Sequence, residues 1–186
     1  MDPPETTPEY LATVSKTIYD GMSSIDPQAT WVQMGWTFYY MKLWKEDPAR
    51  LEAMIKAIPE DKMIILDYFA EKEEVWRNTE AWHDAPYIWC YLGNFGGNTE
   101  MAAPLYEVAN RLSNTENDSD KGKLVGVGST LEGFNVNRFM FEWLFEYAWD
   151  SSVTDIEKWV AQFARTKSES EDTLAEQAYQ KLFKLV

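Results

Sequence analysis

The sequence predicts an α/β fold, a parallel sheet with interleaved helices, running on into a purely helical stretch. Three observations predict it. Short apolar runs at 30–34, 63–66, 87–92 and 124–128 alternate with helical patterns, the order that parallel crossovers require. Two of these runs, Met63-Ile64-Ile65-Leu66 and Tyr87-Ile88-Trp89-Cys90-Tyr91-Leu92, lack in/out alternation, as expected of strands covered on both faces. Beyond about residue 137 only helical periods remain.

The elements follow in chain order. Thr7 is an N-cap and Pro8 opens a helix; Leu11, Val14, Ile18 and Met22 fall at helical spacing, and Asp26-Pro27 ends it. Thr30 to Met34 is a strand leading into Gly35-Trp36. Asp47-Pro48 opens a helix with Leu51, Met54, Ile55 and Ile58 on one face. The strand at 63–66 stops at Asp67, and the one at 87–92 stops at Gly93-Asn94-Phe95-Gly96-Gly97-Asn98. A helix is expected over 104–112, a polar loop over 113–123 and a strand over 124–128. Residues 137–149 read as a strongly apolar helix. Thr154-Asp155-Ile156-Glu157 is a capping box opening another. A final helix within 171–185 carries Leu174, Ala178, Leu182 and Leu185 on one stripe. The chain divides at about residue 150, with an α/β part at 1–150 and a helical part at 151–186.

Composition excludes several functions. The 186 residues carry a net charge of −14, and nine Trp, ten Tyr and nine Phe make the chain 15% aromatic. Disordered chains are poor in aromatics. Nucleic acid and anionic membrane surfaces both call for basic stripes, and none is visible. No apolar run reaches the roughly 20 residues of a membrane span. No signal peptide is read after Met1, which is followed by Asp2-Pro3-Pro4-Glu5. One Cys and one His leave no disulfide and no Cys-based or multi-His metal site. No cofactor is expected. Aromatic faces among excess carboxylates fit carbohydrate.

The strand ends carry the candidate chemistry. Gly35-Trp36, Asp67-Tyr68, Gly93-Asn94 and Thr130-Leu131-Glu132-Gly133 each terminate an apolar run. Side chains at the C-terminal ends of neighbouring parallel strands converge on one mouth. Such a cleft would hold two carboxylates, an amide and aromatic platforms, the inventory of a glycosidic site. Each residue also has a plainer reading. Glu132 could be a helix N-terminal acid. Asp67 could pair with an Arg across the sheet, and Trp36 and Trp89 could be core. His83 reads as a surface or interface residue, Cys90 as a buried, inert thiol, and Glu71, Glu73 and Glu74 as a solvated face. Asn117-Asp118-Ser119 matches the glycosylation sequon.

Four blocks go further. Gly35-Trp36, Leu66-Asp67-Tyr68-Phe69-Ala70-Glu71, Ile88-Trp89-Cys90-Tyr91-Leu92-Gly93-Asn94-Phe95-Gly96-Gly97-Asn98 and Gly126-Val127-Gly128-Ser129-Thr130-Leu131-Glu132-Gly133 resemble the alpha-N-acetylglucosaminidases in order and separation. That lysosomal-type family removes terminal N-acetylglucosamine from heparan sulfate. The resemblance implies the last four strands or so of a (β/α)₈ TIM barrel, followed by the start of an all-α domain. It implies a retaining two-carboxylate mechanism with Glu132 as nucleophile. The acid/base Glu precedes a Pro-Pro pair in the family, matched here by Pro3-Pro4, so it would lie before Met1. By resemblance Trp36, Tyr68 and Leu92 contact the sugar, as do Asp67, Cys90 and Asn94. The expected partner is a carbohydrate with terminal N-acetylglucosamine, not nucleic acid or membrane. A homo-oligomer of the full-length protein is left open. Location is lysosomal or secreted for the full-length member.

The sequence departs from the family at several points. Gln33-Met34-Gly35-Trp36 displaces the usual Gln by one residue, which moves a strand side chain to the other face. Gly93 replaces a His, Val136 a Gln, and Arg165-Thr166-Lys167 an Arg-Tyr-Gly segment. These departures loosen the substrate shell; with the acid/base placed before Met1 and strands for only half a barrel, the 186 residues alone are expected to be inactive as a glycosidase. Two alternatives stand beside the hydrolase. One is a non-catalytic carbohydrate-binding pseudoenzyme or remnant. The other is a helical interaction module, which leaves the Gly-rich strand-end blocks unexplained.

Overall fold

The structure is a computed structural model that describes residues 6–96, 98–99, 105–133, 138–150, 155–168 and 173–183. The Pro3-Pro4 match, Gly97, Val136, Thr154 and Leu185 lie outside the described residues.

The chain forms two compact units, residues 1–91 with 115–130, and residues 92–114 with 131–186. The first is built on a four-stranded sheet of order β1-β2-β3-β6: Trp31–Met34, Met63–Asp67, Tyr87–Tyr91 and Leu124–Ser129. Every pairing is parallel, so the four strand ends share one edge of the sheet.

Helix α1 (Pro8–Ile25) starts as its sequence dictates, with the Thr7 hydroxyl accepting from the Tyr10 N–H at 3.3 Å. Its buried face differs from the expected stripe. Val14 and Ile18 are exposed, while Ser15 and Tyr19 are buried. The Ser15 hydroxyl donates to the Met54 carbonyl at 2.8 Å, which lets α1 close on α4 (Ala49–Lys56) through a small polar contact. Two single-turn helices, α2 (Trp36–Tyr40) and α3 (Lys42–Glu46), lie between β1 and α4; they are too short for a periodic signal.

The sheet is covered on one face. Met63, Ile65 and Tyr87 pack with Tyr19 of α1 and Leu51 and Ile55 of α4 in one core. Register puts Val32, Met34, Ile64, Leu66 and Ile88 on the opposite face. There Val32 is 57% exposed and Met34 42%. The expectation of strands buried on both faces thus fails for β2, whose residues alternate between buried and half-buried. In a closed barrel this apolar face would be the interior.

Between β2 and β3 the chain makes a 3₁₀ turn (Val75–Asn78) and a one-turn element, α5 (Glu80–His83). Residues 80–84 all have positive φ, from +48° to +67°. None is glycine, and left-handed backbone costs such residues about 1–2 kcal/mol each. Burial offsets that cost: Trp82 is fully buried, and its N–H donates to the Thr79 hydroxyl at 3.4 Å. His83, expected at a surface or an interface, has a side chain only 8% exposed.

The second unit holds a short hairpin, β4 (Asn94–Phe95) and β5 (Asn98–Thr99), and most of the remaining helix. Helix α6 runs over Leu105–Asn117, so the expected loop at 113–123 shrinks to 118–123. Helices α7 (Arg138–Trp149), α8 (Ile156–Ser168) and α9 (Thr173–Phe183) follow. Asp155 accepts from the Lys158 N–H at 3.0 Å at the start of α8. An aromatic cluster of Phe139, Trp159, Phe163 and Tyr179 joins the three, with ring centroids 5.0–6.3 Å apart. Leu174 and Leu182, expected as the packing stripe of α9, are 71% and 49% exposed; Tyr179 packs instead, because aromatic area dominates the contact.

Candidate functional site

In the first unit, β1 ends in Gly35-Trp36 and β2 in Asp67-Tyr68. The Gly35 N–H donates to the Leu66 carbonyl at 2.8 Å. A Cβ on residue 35 would stand 2.5 Å from that oxygen, so only glycine fits where β1 turns away from β2. This seats Trp36, half-buried, against Tyr39 at 4.9 Å and edge-on to Phe69 at 5.8 Å. One aromatic wall therefore crosses the ends of β1 and β2.

Thr130, just past β6, ties three strand ends together. Its hydroxyl donates to the Tyr68 carbonyl at 2.6 Å and its N–H to the Tyr91 carbonyl at 3.1 Å. Glu132 follows two residues later and is exposed. In the second unit, a Cβ on Gly133 would lie 2.6 Å from the Asn94 Nδ2, so the Asn94 amide occupies the space a side chain at 133 would need. Asn94 is 5% exposed, and its Oδ1 has no hydrogen-bond partner among the described residues. Leu92 is buried at 4%, and its carbonyl accepts from the Asn94 N–H at 2.8 Å.

Two residues assigned to the sugar cleft lie deeper. Asp67 is fully buried and, by register with Met63 and Ile65, turned to the helix-covered face. Its two oxygens accept from the Val75 and Trp76 N–H groups at 3.2 and 3.3 Å. The partner is backbone, not the Arg across the sheet. Burial pushes its carboxyl up to about 7, against the pull of the two N–H groups and with a further push from Glu74. Cys90 is 1% exposed, and burial raises its thiol to about 12, with the Asp67 and Glu71 charges adding. The inert-thiol reading fits this environment.

The acidic run is not a solvated face. Glu71 is 2% exposed, and the Glu74 side chain 8%. Glu74 accepts from the Trp89 indole N–H at 3.4 Å and from the Thr115 hydroxyl. Arg77 lies 2.8 Å from Glu74 and 2.7 Å from Asp118, with its guanidinium over the Trp76 ring. Sequence reasoning missed Thr130, Glu74 and Thr115. Position 130 had a signal, a hydroxyl between a strand and an acid; the other two are joined by 41 residues of separation that no local pattern encodes.

Among the described residues no group of three or more His, Cys, Asp or Glu could hold a metal ion. Among the described residues no helix is long and apolar enough to cross a membrane.

Four parallel strands with helices on one face, and an aromatic wall across the ends of the first two, are the arrangement of part of a TIM-barrel-type domain. Residues 1–151 match the family model of the alpha-N-acetylglucosaminidase TIM-barrel domain. The chain belongs to the alpha-N-acetylglucosaminidase family. It is 33% identical over 166 residues to human alpha-N-acetylglucosaminidase, covering 88% of this chain and 22% of that one. A family 89 glycoside hydrolase from Clostridium perfringens in complex with PUGNAc superposes with a TM-score of 0.75 at 24% identity, over 92% of this chain and 18% of that one. A variant of the Clostridium perfringens enzyme in complex with its substrate GlcNAc-alpha-1,4-galactose superposes at 0.70 and 26% identity, over 91% and 18%. The chain thus spans about a fifth of the length of these relatives.

Proposed function

We propose that this chain carries the nucleophile half of an alpha-N-acetylglucosaminidase active site. Glu132 attacks the anomeric carbon of a terminal alpha-linked N-acetylglucosamine, as on heparan sulfate-type chains. A retaining mechanism needs a second carboxyl about 5–5.5 Å away to protonate the leaving oxygen and then activate water. In the family the acid/base precedes a Pro-Pro pair, so this reading assigns no residue of this sequence to that role. The observation that carries the reading is Thr130, which binds the ends of β2 and β3 immediately before the glutamate. Trp36, Tyr68, Leu92 and Asn94 bind the sugar, Asp67 supports the cleft wall from the helix-covered side, and Cys90 packs beneath it on the Ile88 face of the sheet. The reading takes 1–150 as the barrel part and 151–186 as the start of the helical domain, in a lysosomal or secreted protein.

The relatives support the substrate class. Both the human protein and the Clostridium perfringens enzymes are named for N-acetylglucosamine chemistry or bound to such ligands. For the 186 residues alone we infer no turnover, since this reading assigns only one of the two carboxyls to them.

The test uses the full reading frame from which this chain comes. Hydrolysis of an aryl alpha-N-acetylglucosaminide is expected, with the alpha anomer formed first by NMR. Glu132→Gln should abolish it, and Glu132→Ala with azide should yield the beta-glycosyl azide. Undiminished turnover by Glu132→Gln would sink the assignment. Turnover by the 186 residues alone would overturn the split site.

A further inference from the structure

We propose that a cavity in the helix layer of the first unit is a second ligand site, for a sugar-sized ring bearing a carboxylate. The cavity has a volume of about 450 Å³, within the range of about 300–1,000 Å³ typical of ligand pockets. Phe38, Tyr39 and Trp44 give it aromatic walls, and Lys45, Asn78 and His83 give it polar ones. The left-handed turn at 80–84 supplies the His83 side of the wall.

The walls are set for a ring. Phe38 meets Trp44 edge-on at 4.9 Å, which fixes both planes. Tyr39 is held by Trp36 at 4.9 Å and by a hydrogen bond to Glu73. Aromatic faces that cannot rotate offer a ring its contact area at little entropic cost.

The polar side is set for an anion. The Lys45 ammonium stands 4.3 Å from the Tyr39 ring centroid and makes no ion pair among the described residues. The Trp44 indole N–H is sealed from solvent and lacks an acceptor among the described residues. Sealed in this way, the indole N–H reports on the cavity wall without itself meeting a ligand oxygen. Glu80 is the single acid in the lining, and its side chain is 87% exposed with His83 Nδ1 at 3.8 Å. Glu73 is engaged by its hydrogen bond with Tyr39. In a chain of net charge −14, an unpaired lysine beside a ring-lined cavity selects a carboxylate over a neutral sugar.

The probe is sodium glucuronate, titrated into the whole chain while the tryptophan indole N–H signals are followed by NMR. Glucose and sodium sulfate serve as the ring without charge and the charge without ring. Loss of one signal in Trp44→Phe identifies that residue. Saturable movement of the Trp44 signal by glucuronate is expected, at least about tenfold tighter than by either control. Lys45→Met keeps the aliphatic stem on an exposed side chain, so the fold survives, as circular dichroism will verify. It should weaken glucuronate about tenfold and leave glucose unchanged. Equal affinity for glucose and glucuronate, an unchanged Lys45→Met, or saturation without movement of the Trp44 signal would each overturn the site. None of these readings depends on Glu132 or on hydrolysis.

Discussion

The Thr130 hydroxyl donates to the Tyr68 carbonyl at 2.6 Å, joining β6 to the end of β2 across the intervening strand β3. Thr130 is 9% exposed, so little water replaces this bond when it is removed. Thr130→Val is isosteric and removes the hydroxyl donor, which costs about 0.5–1.5 kcal/mol, the net worth of one hydrogen bond. A lower melting temperature is expected for the chain. In the full-length enzyme kcat should fall about 100-fold, the cost of displacing a catalytic group by about 1 Å. Thr130→Ser should recover most of both. A valine variant with wild-type kcat would separate Thr130 from the positioning of Glu132.

Asp67 predicts a stability that rises as pH falls. Its folded carboxyl is raised to about 7 from an ordinary value near 3.8. The folded state therefore holds a proton that the unfolded state releases, and the contribution is full below about 4 and lost as pH rises through 7. Urea midpoints should be higher at pH 5 than at pH 8. Asp67→Asn removes this proton-linked slope. It also leaves one of the Val75 and Trp76 N–H groups without an acceptor, so at pH 5 it should be less stable than wild type, with the gap narrowing by pH 8. Equal slopes in the two proteins would contradict the burial of Asp67.

What could be read from the sequence was local or periodic. The cap at Thr7 and the buried Leu51 and Ile55 of α4 depend on neighbours within one or two turns and are as expected, while Met54 is half-buried and Ile58 is buried just past the helix end. The four parallel strands were legible as apolar runs ending in small or polar clusters. The buried face of α1 was not, because Ser15 enters a helix contact by bonding the Met54 carbonyl, and hydropathy counts it as polar. Glu74 was misread as solvated for a similar reason: its partners Trp89 and Thr115 are 15 and 41 residues away. The left-handed turn at 80–84 has no glycine to announce it. At the site, family resemblance named Glu132, while the tie through Thr130 to Tyr68 needed coordinates.

Gly35 predicts a steric effect. A Cβ there meets the Leu66 carbonyl oxygen at 2.5 Å and the Trp82 ring at 3.0 Å. Neither neighbour can yield: one is backbone of a central strand, the other a fully buried indole. Gly35→Ala should destabilise the chain by about 1–3 kcal/mol, as overpacking does, with a drop in denaturant midpoint and unchanged m-value. Gly21, with nothing within 4 Å of its Cβ position, is the control. In its helix interior Gly21→Ala should gain about 0.5–1 kcal/mol.

Cys90 gives the last prediction, a chemical one. The thiolate is the reactive form, and a thiol held up to about 12 and 1% exposed is neither ionised nor reachable at pH 8. Iodoacetamide at pH 8 should leave the native chain unmodified by mass spectrometry over hours, and should alkylate it within minutes in concentrated urea. Because labelling then reports only opened molecules, its rate at intermediate urea should follow the unfolded population. The same experiment at pH 5 and pH 8, each scaled to the rate in fully unfolded chain, reads the Asp67 linkage a second way. The opened fraction should be smaller at pH 5. Rapid native labelling at either pH would show that Cys90 faces solvent and would remove it from the packed wall of the proposed cleft.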